Sequence, residues 1–178
     1  MPSAFHRDTW NSRPSVTLPS HILDWLTSQG SLTARLKAHT RQFHVVLLFQ
    51  GQRKPFEDER RLLHLPPGRR AWIREVLLCD GSLPLVYAHS VLPLEAFRGA
   101  WNLFATLGTR PLGEVLFADP AVSRCPLRFR TLGSRHPLYQ RLAPYAKVPR
   151  LPARRSLFYR NAQGLLVTEA FLDLGALK

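Results

Sequence analysis

The sequence predicts an α+β domain built on an antiparallel sheet, and three observations predict it. Short amphipathic stretches suited to helices come early. Alternating runs rich in β-branched and aromatic residues follow, with hairpin signals between them. The strand–helix–strand rhythm of a parallel sheet does not occur. The 178 residues, 45% of them hydrophobic, are enough for one domain with a real core. Residues 1–178 therefore read as a single domain.

In chain order, "LPSHILDWLTSQG" (18–30) predicts a helix with Ser20 as N-cap and Gly30 just past its end. Ile22, Trp25 and Leu26 share its apolar side. "SLTARLKAHT" (31–40) predicts a second helix capped by Ser31, with Leu32 and Leu36 one turn apart. So tight a pair makes a helix–turn–helix hairpin, which suits a flap over a pocket as well as it suits DNA. "QFHVVLLFQ" (42–50) predicts a strand, and "EDERRLLHLPPGRR" (57–70) a polar connection stopped by Pro-Pro. The runs either side of Asp80-Gly81 predict a hairpin. "LEAFRGAWNLFATLG" (94–108) predicts one long helix with Leu94, Phe97, Trp101 and Phe104 as its stripe and Gly108 at its stop. "PLGEVLF" (111–117) is too short to assign. "PLRFRTLG" (126–133) alternates like a half-exposed strand. A final hairpin closes the chain, with Asn161 to Gly164 as its loop. Several strands are apolar on both faces. Such a sheet is covered on both sides or curls around a cavity.

Composition removes several classes of function. No apolar run approaches the ~20 residues that span a bilayer, and the N-terminus lacks the apolar core of a secretory signal. A cytoplasmic protein, not integral to a membrane, is expected. Cys79 and Cys125 are too few for a disulfide framework. The formal net charge is +13, and from Ala121 to Lys178 eleven Lys or Arg face only Glu169 and Asp173. This excess suits a solubilising surface, a site for a small polyanion, or nucleic acid. No zinc-finger, RRM or basic-zipper pattern supports the last. Phe129 stands between Arg128 and Arg130, but alternation sends the ring and the cations to opposite faces. That argues against a stacking platform for bases. Phosphate-binding loops, nucleophile elbows and metal-ligand spacings are missing too, so no cofactor and no metal are expected. His89, between Tyr87 and Val91 in register, reads as a core residue.

Two charges are out of place. In "LLVTEAFLD" (165–173), Leu165, Val167, Glu169 and Phe171 share one side of a strand. In "WIREVLLC" (72–79), Trp72, Arg74, Val76 and Leu78 share one side, and Ile73, Glu75, Leu77 and Cys79 the other. A buried carboxylate needs a cation or must lose its charge. Arginine is the residue shaped to hold a carboxylate through two parallel bonds. An inward arginine and Glu169 either line a polar site or neutralise each other. Periodicity leaves open whether Arg74 or Glu75 faces inward.

The stretches "LDWLTSQGSLTARL", "WIREVLLCDGSLPLVYAHSVLP", "LGTRPLGEVLF", "ARRSLFYR" and "LLVTEAFL" together resemble the chorismate–pyruvate lyase family, in family order across residues 22–173. The N-terminal twenty residues and the stretch from Ser123 to Pro152 match poorly. Residues 1–20 are expected to be a loosely ordered extension. The resemblance implies a single domain on a six-stranded antiparallel sheet, with flanking helices and helix–turn–helix flaps over an internal ligand cavity. It implies release of pyruvate from chorismate to give 4-hydroxybenzoate, a redox-neutral first step toward ubiquinone that needs no cofactor.

By the same resemblance Arg74 and Glu169 are the catalytic pair, and Leu32 and Leu112 touch the ligand. Relatives can carry Met at the position of Leu32, a swap of similar volume. Arg74 would clamp the ring carboxylate, and Glu169 would meet the hydroxyl at the ring's far end. Arg154 or Arg155, with Arg155 taken as the candidate, would hold the enolpyruvyl carboxylate. The C4 proton passes either to Glu169 as general base or directly to the enolpyruvyl methylene; a protonated Glu169 donating to the leaving oxygen is a third route. A monomer is expected. The Ser123–Pro152 stretch is either a lid or a transient docking surface for the membrane-bound prenyltransferase that uses the product. The alternative reading is a non-catalytic effector-binding module of the same fold. Such modules follow a DNA-binding domain, for which the residues ahead of the first matching segment are too few.

Overall fold

The computed structural model describes residues 10–173 and 175–177. Seven strands form one antiparallel sheet: β1 (Phe43–Arg53), β2 (Ala71–Asp80), β3 (Leu83–Pro93), β4 (Ser123–Arg124), β5 (Arg128–Gly133), β6 (Arg150–Arg160) and β7 (Gln163–Phe171). The order across the sheet is β1-β2-β3-β7-β6-β4, with β5 also on β6. The six strands expected become seven because one edge is split. β5 pairs with residues 150–155 of β6, and β4 with Phe158 and Tyr159. Pro126, which has no N–H to give to a ladder, lies in the gap between them.

Among the described residues six short helices flank the sheet: α1 (Ser20–Thr27), α2 (Leu32–His39), α3 (Glu57–Leu62), α4 (Leu94–Arg98), α5 (Leu112–Ala118) and α6 (Pro137–Leu142). None is long and apolar enough to cross a membrane. Alternation along the strands sends side chains to two covered faces. On one face, Val76, Leu78 and Phe171 pack with Ile22, Trp25, Leu26, Leu32 and Leu36 of the α1–α2 hairpin. Val167 and Leu165 continue that face under Trp101, Phe104 and α5. On the other face, Leu77, Ala170 and Leu172 meet Leu138 and Leu142 of α6, and Ile73 and Leu166 meet Leu65.

Ser31 caps α2 as expected, its Oγ accepting from Ala34 N. Pro19 rather than Ser20 occupies the N-cap of α1, and no side chain caps it. The β2–β3 hairpin turns at Gly81 with φ +53°, a left-handed conformation that favours glycine. The β6–β7 loop is shorter than expected: only Asn161 and Ala162 lie outside the ladder, both with positive φ, as a tight primed turn requires.

Three stretches differ from expectation. Residues 94–108 do not form one helix: α4 ends at Arg98, and a 3-10 turn spans Asn102–Thr106. Gln163 causes the break, since its Oε1 accepts from Ala100 N at 2.6 Å and its carbonyl from Trp101 Nε1 at 2.9 Å. The break lets Trp101 and Phe104 both bury completely. Each such burial is worth ~1.5–3 kcal/mol, against helix propensities of ~0.7 kcal/mol or less per residue. The polar connection contains α3, whose inward side chain is Glu59. The Pro-rich stretch contains α6, started by Pro137 and capped by the His136 ring. Of the expected N-terminal extension, residues 1–9 lie outside the described residues. Trp10 is buried, and Asn11 exchanges two backbone bonds with Phe129.

Candidate active site

A cavity lies on the α1–α2 face of the sheet, with about 600 Å³ free of protein atoms, including the part open to solvent. Its floor is β3, which contributes the small side chains of Ala88 and Ser90. Larger residues on the flanking strands stand up as walls, among them Val76, Leu78 and Val167. Its cover comes from Leu32 and Thr33 of α2 and from Leu112, Leu116 and Phe117 of α5. The two covering helices touch closely. A Cβ on Gly113 would sit 2.8 Å from Thr33 Oγ1, so only glycine admits this approach without a shift. Lys37 and Glu114 pair across the same contact.

Arg74 projects from β2 into this space and is 2% exposed. One NH2 donates to the carbonyls of Gly108 (2.9 Å) and Arg110 (3.1 Å), in the turn that leads into α5. Among the described residues Arg74 has no carboxylate partner, and its Nε donates to nothing. Burial lowers its pKa to about 10. A buried guanidinium held only by neutral carbonyls has the electrostatics to attract an anion.

Glu169 projects from β7 into the same space. The register sets Arg74 opposite Ser90, and Ala88 opposite Glu169. The two charges are therefore two strands apart, roughly 10 Å sideways, and two residues offset along the strands. They do not neutralise each other. Glu169 Oε2 instead accepts from Arg154 Nε at 2.6 Å, from the directly opposed position on β6. Among the described residues no donor is bonded to Glu169 Oε1. Arg154 NH1 donates to the carbonyls of Trp25, Leu26 and Ser28 at the end of α1, so one guanidinium ties the flap to the sheet.

The expected site residues Leu32, Arg74, Leu112 and Glu169 thus come together around one hollow. Arg155 does not. With Arg154 fixed against Glu169, the strand's period of two sends Arg155 to the other face. There it donates to Asp58 Oδ2 at 2.7 Å and lies over the Trp10 ring. The other candidate, Arg154, lines the cavity in its place, together with Arg124 and Ser156. Alternation from Glu169 through its hairpin partner could have found Arg154 and Ser156. Arg124 sits on a two-residue strand, where alternation gives no signal.

Glu75 is buried on the opposite face, so Arg74 and Glu75 are both inward, in different compartments. Its neighbour there is His89, 1% exposed, with Nε2 3.0 Å from Glu59 Oε1 and Nδ1 3.2 Å from Glu75 Oε1. These are ion-pair contacts; neither is aligned well enough to be a hydrogen bond. Burial alone would depress the imidazole, but Glu59 and Glu75 overcome it and raise its pKa to about 9. Burial likewise works to raise Glu75, and His89 and Arg141 outweigh it, holding the carboxyl near 2. His89 is a core residue as expected, stacked on the Phe56 ring and flanked by two carboxyl groups.

The family model for chorismate lyase matches residues 4–176. A protein of Aromatoleum aromaticum named "Probable chorismate pyruvate-lyase" is 46% identical over 172 residues, covering 94% of this chain and 93% of its own. A protein of the same name from Cupriavidus pinatubonensis is 47% identical over 160 residues, covering 88% and 82%. Among solved structures, the PhnF C-terminal domain has a TM-score of 0.56 at 15% identity, over 82% of this chain and 92% of that one. A GntR-family transcriptional regulator from Bacillus cereus has 0.53 at 11%, over 76% and 94%. These last likenesses concern the fold. The length and identity of the sequence matches place the chain in the chorismate lyase family.

Proposed function

We propose that this protein is a chorismate–pyruvate lyase, converting chorismate to 4-hydroxybenzoate and pyruvate in the cytoplasm as the first step toward ubiquinone. One observation carries the reading: a buried arginine with no anionic partner among the described residues faces a carboxylate across a floor of small residues. Arg74 takes the ring carboxylate. Glu169 Oε1 takes the C4 hydroxyl at the far end of the ring. Leu32 and Leu112 close on the ring's faces, and the flaps keep water away from the leaving group.

In the reaction the C3–O bond breaks and the C4 proton leaves, which makes the ring aromatic. The departing enolpyruvate gains one proton and becomes pyruvate. Aromatisation supplies the driving force, so the protein's task is to position the side chain and to stabilise developing charge. Glu169 receives the C4 proton in the general-base route. In the concerted route the proton goes directly to the enolpyruvyl methylene, and Glu169 only orients the hydroxyl. Glu169 Oε2 accepts from Arg154 Nε, and an accepting side chain there supports the proton-accepting role over donation to the leaving oxygen.

The deciding experiment is incubation of the purified protein with chorismate, measuring pyruvate and 4-hydroxybenzoate. Equimolar release of both is expected. Binding without release would favour a non-catalytic ligand module, the reading suggested by the fold's likeness to a GntR-family transcriptional regulator.

A further inference from the structure

The cavity carries more positive charge than one ring carboxylate requires. Arg74, Arg124 and Arg154 line it against the carboxylate of Glu169. Arg154 is committed to Glu169 and to the end of α1. Arg124 is not committed to any anion among the described residues. Its Nε donates to Ser156 Oγ at 3.2 Å and its NH1 to the Gln29 carbonyl at 2.8 Å, both neutral acceptors. The rings of Phe117 and Phe158 lie 5.5 and 5.3 Å from its Cζ. Burial and then the charge on Arg154 lower its pKa, while Glu169 raises it. Arg124 therefore sits within the electrostatic reach of the Glu169 end of the hollow.

Two cations without anions meet a substrate with two carboxylates. Resting on the chorismate reading above, the ring lies with its carboxylate on Arg74 and its C4 hydroxyl at Glu169. The enolpyruvyl ether is on C3, next to C4 and meta to the ring carboxylate. Its side chain thus leaves the ring at the Glu169 end. We infer that Arg124 binds the enolpyruvyl carboxylate of the substrate, a role that neither Arg154 nor Arg155 is placed to fill. The dianion balances the two uncommitted guanidiniums. Once the C–O bond breaks, Arg124 holds pyruvate and no longer holds the ring. Its NH1 bond to Gln29, between α1 and α2, puts this contact at the hinge of the flap.

The test separates substrate from product. Arg124→Gln should lower kcat/KM for chorismate by about 10- to 100-fold, the value of a charged hydrogen bond, mainly through KM. Its affinity for 4-hydroxybenzoate, which lacks the second carboxylate, should be unchanged, and that binding also reports a folded variant. Arg124→Lys should recover part of the loss. Arg74→Gln should lose both ligands. Equal losses of chorismate and 4-hydroxybenzoate affinity in Arg124→Gln, or no loss of either, would overturn the inference. A measurement on the unaltered protein needs no variant: 3-(carboxymethoxy)-4-hydroxybenzoate should bind about tenfold tighter than its side-chain methyl ester. Equal binding of the two overturns it as well. A wild-type protein that releases pyruvate, yet fails these tests, loses only the role of Arg124; one that neither binds nor converts chorismate refutes the proposed function itself.

Discussion

Arg74 is a buried cation with no anion beside it among the described residues, and that condition costs stability until a ligand arrives. Replacing it with Met, of similar volume and no charge, should leave the ligand-free protein as stable or more so while removing about 100-fold or more of turnover. Thermal melts check both halves: 4-hydroxybenzoate should raise the melting temperature of the wild type and leave that of Arg74→Met unmoved. A variant that melts far lower would mean that the carbonyls of Gly108 and Arg110 depend on Arg74 for the turn before α5. Glu169→Ala should lose about 100-fold or more of kcat. Glu169→Gln keeps an acceptor for the hydroxyl and removes the base. An equal loss in kcat supports the general-base route, and a loss below about tenfold supports concerted transfer. Glu169 stood out because it breaks an apolar row; Arg74 and Glu75 each break one, and the resemblance rather than periodicity chose Arg74. The choice between Arg154 and Arg155 took a further step that alternation within one strand does not supply, carrying the Glu169 face across the hairpin to β6. The contact with Glu169 decides it, and that contact belongs to the register of β6 on β7.

At the scale of elements, the hollow exists because β3 is lined with small residues where its neighbours are large. Ala88 and Ser90 lie between Arg74 and Glu169, and a larger side chain there would fill the space a ring needs. Ala88→Leu should therefore keep the fold and weaken 4-hydroxybenzoate binding by about tenfold or more, read by calorimetric titration beside a melt. Unchanged affinity would show that the ring does not lie on β3. The strands and hairpins of this sheet were readable from alternation and turn residues, as Asp80-Gly81 illustrates. The helices were less so. The stretch 94–108 has a helical stripe, yet Gln163, more than fifty residues away, takes the backbone amide that a continuing helix would use. α3 shows the reverse failure. Its inward residue is Glu59, which pairs with His89, so no apolar periodicity marks it. Both outcomes depend on contacts between distant parts of the chain, which local pattern does not encode.

Across the whole molecule the sheet separates two buried polar sites. The cavity face is rich in uncommitted positive charge. The opposite face holds His89 between Glu59 of α3 and Glu75 of β2, with Arg141 of α6 at 2.7 Å and Arg53 of β1 at 3.4 Å from Glu75. This second site joins five elements on the face of the sheet away from the cavity, so it should govern stability rather than turnover. The folded pKa of His89, about 9, lies above its ordinary 6.5. Its contribution is complete below about pH 6.5 and is lost as pH rises through 9. The folded pKa of Glu75, about 2, lies below its ordinary 4.5, so its contribution is complete above 4.5 and lost as pH falls through 2. Both are complete between 4.5 and 6.5. The melting temperature should decline from pH 6.5 to 9. His89→Gln should melt lower at pH 6 and show a flatter profile across that alkaline range, since the titrating group is gone and Glu59 and Glu75 have lost the cation between them. Its kcat should stay near the wild-type value, because Arg74 and Glu169 lie on the far side of the sheet. A His89→Gln profile that declines as steeply as the wild type would place the alkaline loss elsewhere. A large fall in kcat at pH 7 in a variant that is still folded would mean that the two faces are coupled through β2 and β3.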